Sequence, residues 1–99
     1  MEYAPKENEL TQVKGMGDVR GFYVIEVNKK DIYTAYHGHY IDQLTPNATP
    51  TTIIMPNSSF SFIEPTKVEI SLLKRRIIKV RDKYLLFLSK IDSILEKLN

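Results

Sequence analysis

The sequence predicts an α+β fold: a small antiparallel β-sheet of hairpins followed by a long C-terminal helix or helix pair. Three observations carry this expectation. All five prolines and all four glycines precede residue 66, so backbone breakers crowd the first two thirds of the chain and spare the last. Apolar side chains alternate with period two between residues 19 and 41, as on a half-buried strand. From Ile70 onward their spacing changes to threes and fours, the period of a helix. Ninety-nine residues supply one domain, residues 1–99, with a single small core. It divides into an N-terminal segment 1–18, hairpins over 19–65 and a helical part over 66–99.

Within 1–18, residues 10–14 suit an edge strand, and Gly15-Met16-Gly17 suits a turn. Residues 19–27 and 32–41 form the clearest strand pair, joined by the polar run Asn28-Lys29-Lys30-Asp31. Setting Val27 opposite Ile32 places Ile25 with Thr34, Tyr23 with Tyr36, Gly21 with Gly38 and Val19 with Tyr40 on one face. Phe22, Val24, His37 and His39 then share the other. Residues 51–55 and 60–63 suit a second hairpin around Pro56-Asn57-Ser58-Ser59, and Thr45 to Thr52 reads as a loop. Thr66-Lys67-Val68-Glu69 has the spacing of a capping box, which predicts a helix start there, although Val68, Ile70 and Leu72 also alternate like a strand.

Beyond the cap, Ile70, Leu73, Ile77, Val80, Tyr84, Phe87, Ile91, Ile94 and Leu98 form an unbroken a/d heptad series. Leu88 and Leu95 at e, with Ile78 and Leu85 at b, widen the stripe. One helix over 66–98 would be roughly 48 Å long at 1.5 Å per residue, against a radius of gyration near 13 Å for a compact domain of this length. Either the helix breaks near Asp82 or Ser89 and folds back, or its end overhangs the sheet and a second copy covers it. The expected dimer interface is therefore Ile70, Leu73, Ile77, Val80, Tyr84, Phe87, Ile91 and Ile94.

Charge is divided like the breakers. Residues 1–65 hold five Lys and Arg against eight acids, net −3, and residues 66–99 hold nine against four, net +5. On the helix, Arg75, Arg76, Lys79 and Lys83 fall away from the heptad seam as a basic ridge, continued by Lys90 and Lys97. Such a ridge suits phosphate contacts of the salt-dependent, sequence-independent kind. The plainer reading of the same residues is a solvated helix face, and contact with an acidic surface, including the chain's own acidic part, is a further alternative.

Catalytic patterns are weak. With no cysteine there is no disulfide framework, thiol nucleophile or zinc ribbon. His37 and His39 share one strand face, but a catalytic zinc needs a third protein ligand, and Arg20 and Phe22 are their expected neighbours. They read as structural or surface histidines. The run from Gly15 to Gly21 has Arg20 where a dinucleotide fingerprint needs its third glycine, and a strand follows it rather than a helix. The serines lie in no G-x-S-x-G elbow. Glu2, Glu7 and Glu9 fall in an expected mobile segment that holds no fixed acid–base geometry. No cofactor, metal or small-molecule substrate is expected. No apolar run approaches the ~20 residues of a bilayer span, and the acidic start lacks the features of a signal peptide. The chain thus reads as soluble and intracellular.

The abundance of Ile, Lys and Tyr, the absence of cysteine, and the segments Gly21-Phe22-Tyr23-Val24-Ile25-Glu26-Val27 and Lys74-Arg75-Arg76-Ile77-Ile78-Lys79-Val80-Arg81 carry a resemblance. The chain resembles small proteins of the filamentous and rod-shaped viruses of thermoacidophilic archaea, the lipothrixvirus and rudivirus group. That resemblance implies a role in the host cytoplasm or the virion, and a helix suited to the surface ion-pair networks found at high temperature. It transfers no functional residue. Two functions are expected: a non-enzymatic interaction or assembly module, homodimeric through the C-terminal helix, or a nucleic-acid binder that uses the basic ridge.

Overall fold

The computed structural model describes residues 3–98 and contains five strands and one helix: β1 (Leu10–Gly15), β2 (Asp18–Lys29), β3 (Thr34–Tyr40), β4 (Thr51–Met55), β5 (Phe60–Ile63) and α1 (Lys67–Leu98). A 3-10 turn, Ile41–Gln43, follows β3. The sheet is antiparallel with strand order β4-β3-β2-β1-β5. The α+β architecture is thus the one the sequence predicts.

Met16 (φ +53°) and Gly17 (φ +86°) form the two-residue turn between β1 and β2, with Gly15 paired to Asp18. Positive φ at both central positions matches the right-handed twist of the flanking strands. Strand β1 is not an edge, because β2 pairs on one side of it and β5 on the other. Residues 6–9 extend this pairing: the Asn8 amide donates to the Val24 carbonyl (2.7 Å) and the Val24 amide to the Glu9 carbonyl (3.0 Å). Glu7 and Glu9 accept from the Val27 and Lys6 amides. These two acids therefore hold backbone donors rather than belonging to a loose tail. Glu2 lies outside the described residues.

The β2–β3 register differs from the expected one. Phe22 pairs with Tyr40 and Val24 with Gly38, Ile25 is bulged out, and Glu26 pairs with His37 and Val27 with Tyr36. The turn moves to residues 30–33, closed by the Lys30 amide on the Tyr33 carbonyl, and Ile32 is left exposed. The bulge explains the difference. An extra residue resets the period of two, so Phe22, Val24 and Val27 share the inner face with Tyr36 and Tyr40. Uninterrupted alternation would send Val27 to the opposite side from Phe22.

Residues 51–55 and 60–63 are strands with the expected bounds, but they are not a hairpin. Strand β4 pairs with β3 and β5 with β1, at opposite ends of the sheet, and between them only Asn57 and Phe60 form a bridge. A four-residue link between the outermost strands requires the sheet to curl. The curl is visible in Tyr36 of β3 and Phe62 of β5, whose ring centroids lie 4.7 Å apart. Three strand spacings, roughly 14 Å, would separate their backbones in a flat sheet. Inside this open barrel lie Val13, Phe22, Val24, Tyr36 and Ile53, flanked by Met55, Phe60 and Phe62.

Two contacts fix the barrel. The Phe22 ring lies over Gly38, where a Cβ would strike both that ring and the Tyr23 carbonyl. Arg20 holds Asp42 through two hydrogen bonds, Nε to Oδ2 at 2.8 Å and Nη2 to Oδ1 at 2.6 Å, while its guanidinium stacks 3.8 Å from the Tyr40 ring centroid. The Asp42 carboxyl is held below the usual carboxylate range, first by the Arg20 hydrogen bonds and further by the charges of Arg20 and Arg76.

Gly38→Ala should destabilise the fold by about 1–3 kcal/mol, because a backbone carbonyl cannot move aside as a side-chain tip can; thermal unfolding followed by circular dichroism measures it. The Asp42 carboxylate, with its folded pKa lowered, contributes stability that is present above the unfolded value of ~3.9 and is lost as pH falls through the folded value. Both side chains are partly exposed, so the contribution is below about 1 kcal/mol. Between roughly pH 5 and 3, the urea midpoint of the wild type should fall more steeply than that of Asp42→Asn; equal slopes would remove the assignment.

Candidate interaction surface

Helix α1 starts at the expected capping box. The Glu69 amide donates to Thr66 Oγ1 (3.2 Å) and the Thr66 amide to Glu69 Oε1 (3.0 Å). Gln12 Nε2 donates to Glu69 Oε2 at 2.8 Å, which ties the first turn to β1. These hydrogen bonds, led by the one from the Thr66 backbone, lower the Glu69 pKa from its ordinary value. The strand-like alternation of Val68, Ile70 and Leu72 does not prevail, because the cap commits the backbone to helix. The helix then runs unbroken through Asp82 and Ser89 to Leu98, so the helix pair does not form.

The heptad seam divides in two. Leu73, the one residue of α1 that is buried, sits on Gly21 against Ile41. Ile70 and Ile77 flank it over a groove formed by Leu10 and Tyr23. These three members of the expected dimer interface therefore pack on their own sheet. Val80 and Tyr84 are half-buried at the sheet's margin, and Phe87, Ile91 and Ile94 lie beyond it, exposed. Every residue from 85 to 98 is exposed. The molecule is correspondingly elongated, 59 × 29 × 23 Å, with a radius of gyration of 17.0 Å. Phe87, Leu88, Ile91, Ile94, Leu95 and Leu98 are each 38–77% exposed on the overhang. Together they present several hundred Å² of apolar surface, the scale that marks an interaction site on a monomer.

The basic ridge is also in place. Arg75, Arg76, Lys79 and Lys83 are all exposed. Among the described residues the ion pairs are Arg20–Asp42 and Arg81–Asp82 (3.1 Å), so these four cations have no carboxylate within salt-bridge distance. The ion-pair network implied by the resemblance does not form along the helix. Arg76 does act through space on Asp42 of the acidic first part, and Lys83 Nζ lies 5.9 Å from the Tyr84 ring centroid.

The histidines are engaged locally. His37 Nδ1 lies 2.8 Å from Thr52 Oγ1, and its Nε2 lies 3.4 Å from Asn28 Nδ2. In the observed register His37 stands opposite Glu26 and His39 opposite Tyr23, not Phe22 and Arg20. His39 lines a 290 Å³ hollow with Gln43, Asn47 and Thr51. Among the described residues no group of three or more His, Asp and Glu side chains converges as a metal site would require.

One feature escapes the sequence reading: a cavity of about 880 Å³ at the open side of the barrel, walled by Tyr3, Tyr36, Met55, Phe60 and Phe62 and rimmed by Lys29 and Asn57. Tyr3 donates to or accepts from Thr11 Oγ1 at 2.9 Å, and burial raises the phenol pKa of both Tyr3 and Tyr36. Its walls come from β3, β4, β5 and the N-terminal segment, and no local pattern foretells that the curl brings these together. Gly21 did carry a signal, since a glycine inside a strand marks close approach by another element. No protein-family model matches this chain, and no curated protein or solved structure matches it either.

Proposed function

We propose that this protein is a non-enzymatic assembly module that forms a homodimer through the overhanging half of α1. The observation that carries this reading is the uncovered seam of Phe87, Ile91, Ile94 and Leu98, broadened by Leu88 and Leu95. A helix of this length held only at its first turns has little tertiary support, and its apolar stripe is self-complementary in the heptad sense. A second copy supplies the same stripe, and two such faces approach the ~800 Å² per partner of a stable interface. In the setting the resemblance implies, the dimer would act in the host cell or the virion.

A second reading, binding of nucleic acid along the ridge, is favoured by the cations Arg75, Lys79 and Lys83, which no ion pair among the described residues engages. Arg75 and Lys79 lie away from the seam and Lys83 flanks it, so phosphate contact at Arg75 and Lys79 is compatible with dimerisation.

Phe87→Lys combined with Ile91→Lys should convert the dimer to a monomer in light scattering while leaving the sheet intact, since neither residue touches it. A variant that keeps the dimer mass would remove the first reading. For the second, fluorescence anisotropy of labelled duplex DNA should show log affinity falling linearly with log salt. Arg75→Glu, Lys79→Glu and Lys83→Glu together should abolish that binding, and no binding even at low salt leaves the ridge a solvated face.

A further inference from the structure

The geometry points to an antiparallel arrangement of the two helices, with the dyad beside Leu88 and each barrel next to the C-terminus of the other helix; this rests on the homodimer reading above. Each chain's own sheet decides the direction. Leu73 is seated on Gly21, and Ile70 and Ile77 lie over Leu10 and Tyr23, so the barrel occupies the a/d side of the helix over its first turns. A parallel, in-register partner would need its own residues 70–77 in the space that the barrel fills. The seam of a straight α-helix drifts by only ~20° per heptad, so by Phe87 it has turned roughly 40° from Leu73 and still faces the barrel's side.

The stretch from Val80, half-buried at the sheet's margin, to Leu98 spans about 27 Å at 1.5 Å per residue. Laid antiparallel about its midpoint, it uses its full length. Val80 meets Leu98 of the second copy, Tyr84 meets Ile94, and Phe87 meets Ile91, each layer joining an a to a d position as antiparallel pairs require. The flanks agree in part. On the e side Leu88 faces its own equivalent across the dyad, and Leu95 lies under the aliphatic stem of Arg81. On the g side Lys90 faces Lys90 and Lys83 faces Lys97, a repulsion that rolls the contact toward the leucines. The e leucines thereby join the seam, which accounts for a stripe wider than a two-stranded parallel pair needs.

The chain has no cysteine, so single introduced thiols report proximity cleanly. Oxidative cross-linking of Lys90→Cys should give covalent dimer, because position 90, at g, faces its own equivalent across an antiparallel dyad, whereas in a parallel pair g faces e. Ile94→Cys alone, at a d position that faces itself only in a parallel pair, should give none, its two copies lying about 15 Å apart along the axis. Lys83→Cys co-expressed with Lys97→Cys should give a mixed covalent dimer. Efficient cross-linking of Ile94→Cys to itself, with no mixed product between positions 83 and 97, would overturn the antiparallel arrangement while the homodimer stands. A monomeric mass in light scattering with no cross-link at any of these positions would overturn the homodimer, and this inference with it.

Discussion

The seating of Leu73 on Gly21 is the contact on which the rest of this molecule depends. It is the point at which the helix and the sheet share a buried side chain, and it sets where along α1 the sheet ends. Burial of one leucine contributes about 1.5–3 kcal/mol. The Gln12–Glu69 hydrogen bond and the capping box fix the angle of departure beside it. Because the anchor lies within the first two turns, the remaining helix has nowhere to go but outward. The uncovered seam is thus a consequence of where one glycine allows a leucine to approach.

The barrel has its own logic, separate from the helix. Its core is small and gathers side chains from all five strands only because the sheet curls. The bulge at Ile25 brings Phe22, Val24 and Val27 to one side, and Gly38 leaves room for the Phe22 ring. Curling also brings Tyr36 against Phe62 and opens the aromatic-walled cavity between the outermost strands. The barrel satisfies most of its apolar surface internally, whereas the helix does not. That contrast separates a half of the molecule with a core of its own from a half whose apolar seam is exposed.

Some elements were legible because their signals are local. The capping box needs four consecutive residues, and it forms as read. Strand bounds at 51–55 and 60–63 were set by prolines and turn residues on either side. The β2–β3 register was not legible, because an alternating pattern fits two registers when both faces carry aromatics, and the bulge that decides between them answers to packing across the barrel. The pairing of β5 with β1 is likewise invisible in the sequence, since it joins residues about fifty positions apart. The heptad seam was fully legible as a pattern, but not its division between the sheet and the overhang.

By itself the sequence determined the class of fold, the start of the helix, its apolar seam and its basic ridge. Each depends on spacing along one stretch of chain, and backbone geometry turns spacing into faces without reference to anything distant. Only the tertiary structure decided that the sheet curls into an open barrel, that the second pair of strands parts to opposite edges, and that Ile70, Leu73 and Ile77 belong to the monomer. Those outcomes are set by competition among apolar surfaces for the same partners. That competition is resolved only when the whole chain is packed at once.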